Sequence, residues 1–138
     1  MSNEILLAIG DTVFTAKLKT LEATKTSKAF INKLPISGKV IHARWSGEAI
    51  WLPMDAIAID VPFENHTSHP SKGDLLYYPG GISEKELLIP YGSALFSSKV
   101  GQLQGNHFAT IVDDLKKLQE IGVKVLFEGP KPITITQG

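Results

Sequence analysis

Two imidazoles and a carboxylate stand within six positions at Glu64-Asn65-His66-Thr67-Ser68-His69, the densest polar cluster of the sequence. Neutral imidazole and carboxylate oxygen are ordinary zinc or nickel ligands, which makes His66 and His69 the candidates for a metal. Their spacing matches no standard metal motif, and a polar loop is the plain alternative for such residues, so neither a metal nor another cofactor is expected. Glu64 and Asn65 could instead orient the amide or carboxyl group of a substrate. His42 and Arg44 stand two apart, which on a strand turns both to one face. A cation and an imidazole sharing a cavity could hold an anionic or carbonyl-bearing ligand, with His42 as acid or base near neutral pH. The alternative leaves Arg44 solvated and stacked on Trp45 or Trp51. Asn106-His107 follows Gly105, so that His107 could project from a loop while Asn106 caps a helix. Tyr77, Tyr78 and Tyr91 alternate with apolar residues and read as core or rim, with hydroxyls that need partners wherever they are buried.

Other chemistries are excluded by what is missing. The sequence has no Gly-x-Ser-x-Gly elbow, no phosphate-binding Gly-Lys-Ser/Thr loop, no Gly-x-Gly-x-x-Gly and no His-Glu-x-x-His. A covalent serine hydrolase, a P-loop nucleotidase and a dinucleotide-dependent oxidoreductase are therefore not expected. The absence of cysteine removes disulfides, thiolate metal sites and cysteine nucleophiles together. With 14 basic and 14 acidic residues there is no cationic excess to attract a phosphate backbone, so nucleic acid is not an expected partner. No window approaches the roughly 20 apolar residues of a membrane span. Met1-Ser2-Asn3-Glu4 shows neither the basic region nor the cleavage site of a leader, which makes the cytosol the expected address.

The elements that must position these residues read mostly as short strands. Glu4 to Ile9 and Thr12 to Leu18, split by Gly10-Asp11, form an opening hairpin. Thr24 or Thr26 can cap a short helix carrying Phe30, Ile31 and Leu34, which Pro35 and Gly38 stop. Lys39 to Trp45 and Ala49 to Leu52 make a second hairpin around Ser46-Gly47, with a tryptophan at each end. Ala56 to Val61 is a further apolar, β-branched run, and Pro62 to Gly73 is a loop, longer than connections usually are. Leu75 to Tyr78 and Leu87 to Tyr91 pair across a solvated tip that carries Glu84, Lys85 and Glu86. Asn106 to Ile121 fits a helix through Phe108, Ile111, Val112, Leu115 and Leu118, yet Phe108 to Val112 would also serve as a strand, with Asp113 capping a shorter helix. Gly122 suits a helix C-terminus, and Val123 to Phe127 and Ile133 to Thr136 read as closing strands. The whole, with 138 residues and one core, predicts a single mainly β (β-rich α+β) domain: a closed barrel with two short capping helices.

This order of elements resembles the cyclophilins, in the helix with Phe30, the strand with His42 and Arg44, and the segment Phe108-Ala109-Thr110-Ile111-Val112. That resemblance implies a cyclophilin-like barrel, a strand over Phe108 to Val112 and a helix from Asp113 to Ile121. The stretch Glu64-Asn65-His66-Thr67, then Pro70-Ser71-Lys72-Gly73-Asp74-Leu75-Leu76-Tyr77-Tyr78-Pro79, with Tyr91-Gly92 and Gly105-Asn106-His107-Phe108-Ala109, is similar over nearly the full chain to the DUF3830 proteins, bacterial cyclophilin-like proteins of unknown function. Lys72 replaces a usual proline, and the family supplies no catalytic residue to carry over. The adjacent His-Arg pair of true cyclophilins is interrupted by Ala43, and their Gln-Gly-Gly-Asp and paired-Phe elements have no counterpart. The expected function is binding or processing of a small polar metabolite in a cleft on the barrel. Arg44, Glu64, Asn65, Tyr78, Tyr91, Asn106 and His107 are the candidate contacts, with His42, Arg44 and Glu64 the candidates for catalysis. Prolyl isomerisation and a non-catalytic interaction module are the alternatives, and a homo-oligomer is expected.

Overall fold

The computed structural model describes residues 3–138; Met1 and Ser2, at the start read above for a leader, lie outside the described residues. Gly10, in the left-handed region, and Asp11 turn the chain so that β1 (Glu4–Ile9) pairs antiparallel with β2 (Thr12–Leu18). A helix, α1 (Thr24–Lys33), ends where Leu34, ahead of Pro35, is forced into extended backbone. β3 (Ile36–His42) and β4 (Gly47–Pro53) form the second hairpin. A two-residue β5 (His66–Thr67) interrupts the long loop before β6 (Asp74–Tyr78) and β7 (Glu86–Ala94). The small β8 (Ser97–Ser98) and β9 (Gly101–Gln102) hairpin follows, then β10 (Gly105–Ile111), α2 (Leu115–Glu128) and β11 (Lys131–Gln137).

Eight of these strands, in the order β2-β1-β11-β3-β4-β7-β6-β10, form one antiparallel sheet that closes where β10 returns to β2, with Ala109 opposite Leu18 and Ile111 opposite Ala16. Strand alternation sends one set of side chains inward. Ile5, Leu7 and Ile9, Phe14 and Ala16, Val40, Ile50 and Leu52, Leu87 and Ile89, and Ile133 and Ile135 fill the interior, as a small barrel requires. From α1, Phe30 enters this core, stacked on Phe108 at 4.2 Å and edge-on to Tyr77 at 5.2 Å. From α2, Leu118, Ile121 and Val125 enter it, against β3, β4 and β7. No helix among the described residues is long and apolar enough to cross a membrane.

Five local expectations need correction. Val123 to Phe127 is the second half of α2, not a strand, and Gly122 lies inside the helix because only a residue without a Cβ lets the helix backbone approach the Tyr91 ring. The C-terminal glycine is Gly129 (φ 98°), and Asp114 rather than Asp113 caps the start, its Oδ1 accepting the Lys117 N–H at 3.2 Å. Neither Thr24 nor Thr26 caps α1: Ala23 holds that position without a side-chain bond, and a carboxylate from a distant loop does the work instead. Ala56 to Val61 is irregular, with Ala58 in the left-handed region.

Glu86 departs furthest from expectation, being 7% exposed rather than part of a solvated tip. Every residue of β7 from Glu86 to Tyr91 is buried, because this wall of the barrel is covered on both sides. Outside it, Ala49, Leu76, Tyr78 and Leu88 form a second apolar cluster under Phe96 and Leu103 of the segment 95–104. That segment is pinned down by Ser68, whose carbonyl accepts the Phe96 N–H and whose hydroxyl donates to the Leu103 carbonyl. Ser46 fastens its next residue, accepting the Ser97 N–H and donating to the Ser97 carbonyl.

Candidate functional site

The cover over the outer face is incomplete. It leaves a pocket of about 340 Å³, within the range of small-molecule sites. Ile41, Trp51 and Glu86 come from the outer face of β3, β4 and β7, the last two lying near each other because Trp51 pairs with Leu88 and Pro53 with Glu86. Arg44, Trp45 and Ser46 from the β3–β4 turn stand on one side, Ser83 and Glu84 on another, and Ser97, Ser98 and Lys99 of the β8–β9 hairpin on a third.

Glu86 is the buried acid of this pocket. Its carboxyl forms no hydrogen bond or ion pair with a side chain or backbone group among the described residues, and no polar side-chain atom there is both sealed from solvent and unpartnered, so its oxygens reach the solvent-accessible space that the pocket provides. Burial pushes its carboxyl up to about 8, with the nearby Glu84 charge adding to the effect. At neutral pH the group therefore holds its proton, which makes it a hydrogen-bond donor that can also accept a cation by giving that proton up. Arg44 lies 5.4 Å over the Trp45 ring and is exposed at the rim. The rim cations Arg44 and Lys99 have no carboxylate partner among the described residues.

The residues singled out from sequence fall in several places. Arg44 and His42 line the pocket, but β3 ends at His42 and they do not share a strand face. The His42 Nε2 meets the Tyr91 hydroxyl at 2.8 Å, and burial raises that phenol above its ordinary range, with Glu48 adding. Tyr78 lies in the outer cluster, its hydroxyl accepting the Ile82 N–H, and borders a neighbouring groove with Phe63 and Leu103. His66 packs its ring on Phe63, and both His66 and His69 are exposed; no three His, Asp or Glu side chains among the described residues converge on a metal-sized site.

Glu64, Asn65, Asn106 and His107 do come together, away from the pocket. One Glu64 oxygen accepts both the backbone N–H and the hydroxyl of Thr26, each at 2.6 Å, and so supplies the cap of α1 that its own sequence lacks. Asn106, wholly buried in β10 rather than at a helix start, donates to the Thr26 hydroxyl and the Pro62 carbonyl and accepts the Glu64 N–H. Asn65 donates to the His107 carbonyl. The His107 ring meets Thr110 at 2.8 Å and Asp74 at 3.2 Å. Burial alone would raise the Asp74 carboxyl, but bonds from His107, the Ser71 N–H and Thr110 outweigh it and hold it below the usual range. Replacing the buried Asn106 by Ala takes the partner from two part-buried groups, the Glu64 N–H and the Pro62 carbonyl, at up to ~1–3 kcal/mol each. A loss on the order of 3 kcal/mol is expected in urea unfolding, and a loss under about 1 would show that the network is slack.

Glu86, Trp51 and Lys99 were not among the candidates from sequence. A signal was present in the unbroken run Glu86-Leu87-Leu88-Ile89-Pro90-Tyr91: a strand apolar on both faces is buried on both, and a carboxylate that opens it shares the face of Leu88.

The sequence matches, over residues 5–137, the family described as "Protein of unknown function (DUF3830)". The chain belongs to this family. No curated protein matches it. Among solved structures, the DUF3830 barrel is similar to McbB in complex with tryptophan, at a TM-score of 0.76 and 16% identity over 96% of this chain. It spans 44% of McbB, less than half of that protein's length. It is also similar to the solution structure of the hypothetical protein AF2241 from Archaeoglobus fulgidus, at a TM-score of 0.68 and 17% identity, over 99% of this chain and 95% of that one. At these identities the likeness establishes the shared fold of the DUF3830 chain and nothing finer.

Proposed function

We propose that the protein binds a small molecule in the pocket over Glu86, with Trp51 and Trp45 against its flat part and Glu86 able to exchange a proton with it. The observation that carries this reading is Glu86 itself, a residue more than nine-tenths buried whose carboxyl is unpartnered among the described residues and which lines the pocket. Taking a carboxyl out of water without a partner is costly, and a strongly perturbed acid in a cleft is a candidate for a functional site. McbB, 44% of whose chain this barrel matches in fold, has been solved in complex with tryptophan.

The test uses the two tryptophans of the sequence, both of which border the pocket. Their fluorescence is titrated against a panel of planar acids, amines, zwitterions and neutral heterocycles that do not themselves emit in the indole range. At least one class is expected to shift the emission saturably, with a matching calorimetric signal that Trp51→Ala removes. A panel that leaves both tryptophans unchanged at millimolar concentration would overturn the reading.

A further inference from the structure

Resting on the reading of this pocket as a ligand site, we propose that its ligand carries an ammonium group that pairs with Glu86 and a carboxylate that faces Arg44 and Lys99, the charge pattern of an α-amino acid with a flat apolar side chain. Two kinds of ligand group could satisfy a lone buried carboxyl: an acceptor for its proton, or an ammonium for its carboxylate. The ammonium is favoured by the surroundings. Charge-assisted hydrogen bonds in an enclosed site are roughly twice as strong as neutral ones, and a cation is also attracted to the indole faces of Trp51 and Trp45 that border the same space.

The rim carries the opposite preference. Arg44 and Lys99 come from two different segments, the β3–β4 turn and the β8–β9 hairpin, and neither is ion-paired with an acidic group among the described residues. A negative group on the ligand would meet both. Glu84 is the one other carboxylate bordering the pocket, and it lies exposed beside Ser83. Its charge next to Glu86 adds to the preference for a cation at the floor. The pocket thus combines a buried acid, two exposed cations and two indoles in one lining.

Three phenyl probes, silent in the indole emission range, separate these features: L-phenylalanine with both charged groups, 2-phenylethylamine with the ammonium alone and 3-phenylpropionate with the carboxylate alone. L-phenylalanine is expected to bind tightest. Glu86→Gln, an isosteric neutral change whose folding is checked by circular dichroism, is expected to weaken L-phenylalanine and 2-phenylethylamine about tenfold or more and to leave 3-phenylpropionate within about threefold, the scale of one charge-assisted bond. Joint replacement of Arg44 and Lys99 by Gln is expected to do the reverse, weakening L-phenylalanine and 3-phenylpropionate about fivefold and sparing the amine. If 3-phenylpropionate matches L-phenylalanine and Glu86→Gln alters neither, or if only a neutral planar molecule of the panel binds, the amino-acid assignment falls while the pocket stands. If nothing in the panel binds, the pocket reading fails and this assignment fails with it.

Discussion

Replacing Glu86 by Gln is expected to make the protein more stable at pH 8 by roughly 3–5 kcal/mol and to remove most of its loss of stability between about pH 5 and pH 8. In the folded chain burial, helped by Glu84, pushes this carboxyl up to about 8, whereas in the unfolded chain it titrates near 4.3. Below that lower value both states hold the proton and the group adds nothing to the pH dependence. Above it the unfolded chain releases its proton and the folded chain cannot, so stability falls by about 1.4 kcal/mol per pH unit until the folded group ionises as well. Glutamine keeps the size and stays neutral throughout. The Asp74 carboxyl, held below its usual range, acts in the opposite sense and at acid pH, where its contribution is lost as pH falls; it is common to both proteins and cancels. Urea unfolding of the two proteins at pH 5 and pH 8 decides the matter, and parallel pH dependences would show that Glu86 is as well solvated in the folded chain as in the unfolded one.

Gly122→Ala is expected to destabilise the protein by about 3 kcal/mol, although the same change in a free helix would stabilise it by close to 1 kcal/mol. Gly122 sits in the middle of α2 with its Cα against the aromatic ring of Tyr91, and an added Cβ would overlap the ring at Cγ, Cδ2 and Cε2. The ring cannot simply swing aside, because its hydroxyl is bonded to His42 and its body lies in the barrel core. Either α2 lifts, loosening Leu118, Ile121 and Val125, or Tyr91 leaves its place. Thermal and urea unfolding of Gly122→Ala measure the cost. Combining it with Tyr91→Ala is expected to cost less than the two separate losses added together, since the overlap exists only while the ring is present. Strict additivity would place the cause elsewhere.

Much of the barrel was legible. The opening hairpin, the helix with Phe30, the β3–β4 hairpin, the β6–β7 pair and the last strand all rest on signals that span a few residues, and those signals compete with nothing stronger. Val123 to Phe127 failed for a different reason. A run of Val, Lys, Val, Leu and Phe after a glycine is strand-like locally, and the glycine is helical only because Tyr91, 31 positions earlier in the numbering, needs the space. The candidate site was legible in part. His42 and Arg44 do border the pocket. Glu64 and Asn106 drew notice as polar residues beside a loop, yet they form one hydrogen-bonded unit with Thr26 over separations of 38 and 80 residues, which no local pattern displays.

The sequence by itself determined the β-rich character of this chain, its turns, and the absence of thiol and strong phosphate-loop chemistry, because residue type, period and turn preference are properties of short stretches. Only the tertiary structure decided that β7 is buried on both faces. It was the closing of the barrel and the laying of segment 95–104 across its wall that took Glu86 from an expected solvated tip to the unpartnered floor of a pocket. Burial is a relation between distant segments, and the acidity of a carboxyl follows its burial rather than its neighbours in the chain.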